Sequence, residues 1–222
     1  MGLLSKQDAD FLRQLFEKEL INDVNILHFT QHLECQYCRE TKMILEEVAE
    51  LSDKIHLETH NFLEDQELAK QYNIDKIPAT LILDANKKNH GIRYFGIPSG
   101  YEFTTLIEDI KMVSKGDSGL SELTRKVLSE LKNPLHIQVF ITPTCPHCPK
   151  MVKLAHQMAF ESELVTADMI ESIEFPHLAN KYNVYAVPKV IINDSVEFEG
   201  ALPEHMVIEY IALAGEIDLD KI

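Results

Sequence analysis

Cys35-Gln36-Tyr37-Cys38 and Cys145-Pro146-His147-Cys148 contain all four cysteines of this 222-residue chain, and they stand 110 residues apart. Pro78 follows Cys35 by 43 residues, and Pro188 follows Cys145 by the same 43. The segments before the prolines also correspond, Leu68-Ala69-Lys70-Gln71-Tyr72-Asn73-Ile74 against Leu178-Ala179-Asn180-Lys181-Tyr182-Asn183-Val184. A cysteine pair and a proline at one spacing in both halves predict a single module present twice. The boundaries expected are residues 1–117 and 118–222, with Lys115-Gly116-Asp117-Ser118-Gly119 as the join.

Each half has the length of an ordinary domain. With 45% hydrophobic residues it can bury its own core, and four cysteines are too few for a disulfide scaffold. The formal charge of −15 is evenly shared: 13 Lys+Arg and 21 Asp+Glu fall in 1–118, 8 and 15 in 119–222. No basic stripe is present, so nucleic acid is not an expected partner. No apolar run approaches about 18 residues, so no membrane span is expected. Met1 to Asp8 show neither the charged region nor the apolar run of a signal peptide, and Gly2 with Lys6 fits myristoylation poorly. These features predict a soluble cytoplasmic protein.

The pattern along each half predicts an α/β fold. Ser5 caps a first helix with Phe11, Leu12, Leu15, Phe16 and Leu20 at helical spacing. A strand over 25–30 follows, then a helix opening on Cys35, a strand over 56–61, and a short helix over 65–72. Ile77-Pro78 precedes a hairpin of 80–83 with 91–95, and a helix over 101–113 closes the half. The second half repeats the order: helix 121–132, strand 135–141, helix 145–160, strand 164–168, a helix ending near Tyr182, Val187-Pro188, a hairpin, and helix 203–214.

A cysteine pair between a strand and a helix suits thiol–disulfide exchange. The first cysteine lies where unpaired helix N–H groups favour a thiolate, and the second lies one turn on, facing the same sulfur. Cys35 and Cys145 are therefore the expected nucleophiles, and Cys38 and Cys148 the resolving thiols. Pro78 and Pro188, each after a β-branched residue and before a strand, are candidates for cis bonds. They would present the backbone of Ile77 and Val187 to an extended substrate and hinder a metal ion from closing over the sulfurs. No cofactor beyond the redox-active disulfides, and no metal, is expected. His147, beside Cys145, can stabilise its thiolate by charge and hydrogen bonding.

These residues resemble the thioredoxin/glutaredoxin superfamily, and most closely the tandem protein disulfide oxidoreductases (glutaredoxin-like proteins) of thermophilic archaea and bacteria. The resemblance rests on Glu34-Cys35-Gln36-Tyr37-Cys38, Arg93-Tyr94-Phe95-Gly96, Thr142-Pro143-Thr144-Cys145-Pro146-His147-Cys148-Pro149, the segment Tyr182 to Lys189, and Glu197-Phe198-Glu199-Gly200-Ala201. It implies two tandem thioredoxin-like domains, each a mixed sheet flanked by helices. It also implies reduction, formation or rearrangement of disulfides in protein substrates, with a thioredoxin-reductase-type flavoprotein as electron donor. Where thioredoxin has a tryptophan before its first cysteine, this chain has Glu34 and Thr144; where it has a buried aspartate, this chain has His28 and Val139.

Other readings of the same residues stand beside this one: a four-cysteine zinc site, an electron relay between a flavoprotein reductase and a peroxidase, and a thiol-bearing chaperone. Such a relay typically keeps one cysteine pair, and here both are intact. His28 and His32 lie near the first pair, and His56 and His60 alternate along a strand, a spacing open to metal binding. Tyr72 and Tyr182 read as packing residues. The differing central dipeptides predict different redox poise, since Cys-Pro-His-Cys recurs in oxidising relatives at about −120 mV against about −270 mV for thioredoxin. The Cys145/Cys148 couple is expected to be the more oxidising. Redox titration of Cys35→Ser/Cys38→Ser against Cys145→Ser/Cys148→Ser measures it, and equal or reversed potentials would refute it.

Overall fold

The computed structural model describes residues 3–31 and 34–222; His32, one of the candidates above, lies outside the described residues. The chain opens with α1 (Lys6–Glu19), capped by the Ser5 hydroxyl, which accepts from the Asp8 N–H at 3.1 Å. Leu12 and Phe16 face the core, but Phe11 is left exposed. The first half continues as β1 (Val24–Thr30), α2 (Cys38–Ala49), β2 (Ile55–Asn61), α3 (Gln66–Gln71), β3 (Ala79–Leu83), β4 (Asn89–Phe95) and α4 (Glu102–Lys115). Gly116 ends α4 in the left-handed region (φ 76°). The second half repeats this as α5 (Glu122–Ser129), β5 (Leu135–Ile141), α6 (Cys148–Glu161), β6 (Val165–Glu171), α7 (Pro176–Lys181), β7 (Lys189–Ile192), β8 (Val196–Glu199) and α8 (Glu204–Ala214).

All eight strands join one sheet, ordered β2-β1-β3-β4-β6-β5-β7-β8. The halves keep the same internal order and meet where β4 pairs in parallel with β6. Within each half, β3 and β7 run against their neighbours, so β1, β2, β4, β5, β6 and β8 all point one way. Apolar side chains from α1, α2, α4, α5, α6 and α8 share a core on one face. A smaller core on the other face is covered by α3 and α7. With both faces covered, β1 and β5 are buried along nearly their whole length, and they read as near-continuous hydrophobic runs.

The β4–β6 seam was not legible as a pairing, and glycine makes it possible. A Cβ on Gly91 would stand 2.6 Å from the Val165 carbonyl oxygen, and one on Gly96 would stand 2.5 Å from Glu171 Cβ. Both residues have positive φ, 78° and 100°. Between them Arg93 sits directly opposite Asp168. Its Nε donates to Oδ1 at 2.7 Å and its Nη2 to Oδ2 at 3.0 Å, while Nη1 donates to the Asn73 carbonyl at 3.1 Å. Burial opposes the charge on Asp168, but Arg93 and His136, whose Nε2 lies 2.6 Å from Oδ2, hold the carboxyl below its ordinary value.

Removing one partner of a buried pair strands the other charge, at a cost of about 3–5 kcal/mol. Arg93→Met should therefore destabilise the whole chain by about that amount in urea unfolding, because Asp168 is left in the interior. A loss below about 1 kcal/mol would show that the seam does not depend on this pair.

Candidate active site

The parallel β4–β6 seam places the C-terminal ends of β1 and β5 on one edge of the sheet, and both cysteine pairs follow directly from them. Each pair is closed as a disulfide, with Cα–Cα distances of 5.5 Å for Cys35–Cys38 and 5.6 Å for Cys145–Cys148. Cys38, Cys148 and Cys145 are buried, and Cys35 is half-buried. The helices do not open on the first cysteines, as the sequence pattern predicts: α2 begins at Cys38 and α6 at Cys148. In the second copy the intervening residues form a turn that aims the first helix amide at the sulfur: the Cys148 N–H donates to Cys145 Sγ at 3.2 Å.

Ile77-Pro78 and Val187-Pro188 are both cis, and the Val187 carbonyl oxygen lies 3.7 Å from Cys145 Sγ. Four strand spacings separate β1 from β5, about 19 Å at roughly 4.8 Å each. That span is far beyond a sulfur–sulfur bond, and it also removes the possibility of one zinc ion held by all four cysteines. His147 is exposed at the N-cap of α6, and its side chain makes no cap bond. His56 and His60 are held by separate carboxylates, Asp23 at 2.9 Å and Asp65 at 3.2 Å. Tyr182 packs on Phe140, with ring centroids 5.5 Å apart, and Tyr72 packs against the smaller core.

Strand register makes His28 and Val139 equivalent: His28 opposes Thr59 and Thr80, and Val139 opposes Met169 and Val190. The turn before the second pair is one residue shorter. His28 is fully buried, with Nδ1 3.0 Å from both the Ala79 carbonyl and Thr80 Oγ1. Burial lowers its pKa to about 4. Val139 offers no titrating group at all.

A buried acid from the other half stands near the second site. Glu102, in the first turn of α4, is wholly buried. Just before it the Tyr101 N–H donates to the Pro143 carbonyl at 3.0 Å, so α4 starts against the loop that leads into Cys145. Gly100 permits the contact, since a Cβ there would stand 2.2 Å from that oxygen. Further along, Asp109 meets His156 Nδ1 at 2.5 Å, and Glu108 meets Lys153 at 3.0 Å. The two helices thus run side by side in one direction, with Glu102 at the level of the first turn of α6. Burial lifts the Glu102 carboxyl to about 7, against a hydrogen bond from Thr105 at 2.8 Å and the pull of His156. Oε1 has no partner among the described residues. Sequence reasoning missed Glu102 because its burial depends on the other half; the one available signal was an acidic residue beside Gly100, opening a helix face that continues with Leu106, Ile110 and Val113.

The folded chain therefore keeps a proton on Glu102 between the ordinary carboxylate range and pH 7 that the unfolded chain releases. The stability this gives is complete below about pH 4.5 and is lost as pH rises through 7. From pH 4.5 to 8 the parent should lose up to about 3 kcal/mol relative to Glu102→Gln, read by urea unfolding at each pH. Parallel profiles for the two proteins would contradict the raised pKa.

Comparison with known proteins fits this geometry. A thioredoxin-domain family model, Thioredoxin_3, matches residues 135–212. The thioredoxin of Methanocaldococcus jannaschii is 37% identical over 76 residues, which are 34% of this chain and 89% of that protein. The F component of the alkyl hydroperoxide reductase of Staphylococcus aureus is 23% identical over 186 residues, 84% of this chain, and the chain spans only 34% of that relative's length. Among solved structures, a protein disulfide oxidoreductase from Aeropyrum pernix superposes with a TM-score of 0.89 at 29% identity, covering 96% of this chain and 94% of that one. The alkyl hydroperoxide reductase component AhpF of Enterococcus faecalis gives 0.85 at 28% identity, covering 93% and 98%. Two strand–cysteine pair–helix units, each followed at the same spacing by a cis proline, and a relative matched along nearly its whole length lead to one conclusion: the chain belongs to the thioredoxin family.

Proposed function

We propose that the chain is a protein disulfide oxidoreductase with two working sites, residues 1–117 and 118–222 each supplying one. The observation that carries this reading is the second site. There a closed disulfide sits at a helix N-terminus, the Cys148 amide points at Cys145 Sγ, and the Val187 carbonyl lies 3.7 Å from that sulfur. In the reduced protein the Cys145 thiolate attacks one sulfur of a client disulfide. An enzyme–client disulfide forms, and the first client sulfur leaves as a thiolate. Cys148, once deprotonated, attacks Cys145 Sγ, closes the enzyme disulfide and releases the second client thiolate. Two electrons pass from the enzyme to the client, and the two client thiolates take up two protons.

Cys35 and Cys38 perform the same steps at the first site. The backbones of Ile77-Pro78 and Val187-Pro188 receive the client segment. Glu102 takes the proton of Cys148, a role that suits a buried carboxyl lifted to about 7. His28, held near 4, is a much weaker proton acceptor for the first site. His147 supports the Cys145 thiolate when a client approaches. A flavoprotein of the thioredoxin-reductase type returns the electrons, and the cytoplasm is the expected compartment. Among the described residues no helix is long and apolar enough to cross a membrane.

A second reading, an electron relay to one dedicated partner, is favoured by the superposition on AhpF. Insulin reduction by dithiothreitol separates them. Cys35→Ser/Cys145→Ser should lower turnover at least about 100-fold, and Cys148→Ser should accumulate a mixed disulfide with the client. A parent protein that leaves insulin untouched would favour the relay. Suppression of insulin aggregation that survives the double substitution without any turnover would favour a chaperone.

A further inference from the structure

The two sites differ in where charge stands beside the sulfurs. Next to Cys35–Cys38 lies a groove of about 520 Å³, walled on one side by Arg39, Lys42 and Glu46 of α2 and on the other by the end of β2 at Thr59 to Asn61. Arg39 is exposed and, among the described residues, makes no ion pair. Lys42 reaches Glu46 at 3.5 Å across a largely solvated gap. At the 110-residue offset the second copy has Pro149 and Val152 in place of Arg39 and Lys42; its own lysines on that stretch of α6, Lys150 and Lys153, stand at the positions of Glu40 and Met43, and Lys153 is held by Glu108 at 3.0 Å. Its proline loop differs as well: Tyr185, 88% exposed, stands where the first copy has Asp75.

In a chain of net charge −15, most of the surface repels an acidic partner. A cationic wall at a reactive disulfide reverses that locally and selects what approaches it. The guanidinium of Arg39 can take a carboxylate through two parallel hydrogen bonds, and Lys42, one turn on, offers a second charge. The other wall decides the form of the ligand. β2 is the first strand of the sheet and, among the described residues, pairs only with β1, so its outer backbone groups are open to an added strand. A cation-lined groove that ends on a free strand edge fits an extended polypeptide better than a small anion.

We propose that the Cys35–Cys38 site docks an extended acidic segment of a protein partner, whose carboxylates pair with Arg39 and Lys42, and that the Cys145–Cys148 site has no such requirement. This rests on both sites performing thiol–disulfide exchange. The full chain is used in two forms, Cys145→Ser/Cys148→Ser to leave the first site and Cys35→Ser/Cys38→Ser to leave the second. Each is recycled with dithiothreitol against peptides of one length that contain an internal disulfide and carry Glu, Gln or Lys beside both cysteines.

Turnover of the Gln peptide reports exchange itself, and its absence would refute the exchange reading rather than the docking one. The first site should prefer the Glu over the Lys peptide by about tenfold in kcat/KM at low salt, with the ratio shrinking at high salt. Arg39→Gln/Lys42→Gln should reduce that ratio to within about twofold, as at the second site; a change in thiolate pKa alone would move all three peptides together. Equal rates for the Glu and Lys peptides, or a preference that survives the double substitution, would overturn the proposal. So would glutathione disulfide reduced as efficiently as the Glu peptide and with the same dependence on Arg39, because the ligand would then be a small anion.

Discussion

The two hydrogen bonds from Arg93 to Asp168 join strands of different halves, and much of the molecule's geometry follows from the register they hold. With Arg93 opposite Asp168, β4 and β6 run parallel, Gly91 and Gly96 absorb the close approach at either end, and two small sheets become one. The parallel direction brings both cysteine pairs to a single edge. On the opposite face of the same two strands, Tyr94 donates to Asp109, which also meets His156 of α6. The seam thus fixes α4 against α6 and carries Glu102 to the second site. Had the strands met antiparallel, the sites would face away from each other and that carboxyl would lie elsewhere.

The duplication gave the two sites the same backbone and different surroundings. At the first, the strand that leads to the cysteines holds a buried imidazole, His28, and charged side chains line the approach. At the second, the first half supplies the buried acid, and the nearby exposed side chains include an aromatic ring. In the proposed mechanism one half therefore supplies a proton acceptor to the other's site. About 19 Å between β1 and β5, with a sheet twist of roughly 20–25° at each of four steps, turns the sites well away from one another.

Much of this was legible in the sequence because it is local. The cysteine pairs, the prolines at a fixed interval, the Ser5 cap and the apolar runs of β1 and β5 are all properties of short segments. The helix starts were misplaced by three residues because the turn from the first to the second cysteine resembles a helical turn in spacing, while its amides bind sulfur instead of carbonyls. The seam and Glu102 were missed for a different reason. Arg93 and Asp168 lie 75 residues apart, and each looks like an ordinary charged residue in a strand until the other is placed opposite. For the seam, Gly91 gave a hint, a glycine inside a strand where a neighbouring backbone comes close.

The seam also bears on how the molecule stays a single body. It is a head-to-tail joint, in which the outer edge of one unit meets the opposite edge of the next, and such joints do not close on themselves. β8 is the second copy's version of β4, and β2 is the first copy's version of β6, so the same two kinds of edge remain at the ends of the sheet. Following the register, the positions of Arg93 and Asp168 are taken there by Glu197 and Glu58. Each of these carboxylates already holds a lysine of its own half, Lys189 and Lys87, and neither offers the other a partner. β8 is also only four residues long against seven for β4. The interaction that welds the two repeats into one sheet is thus not repeated at either end of it, and any strand added there must be held by other contacts.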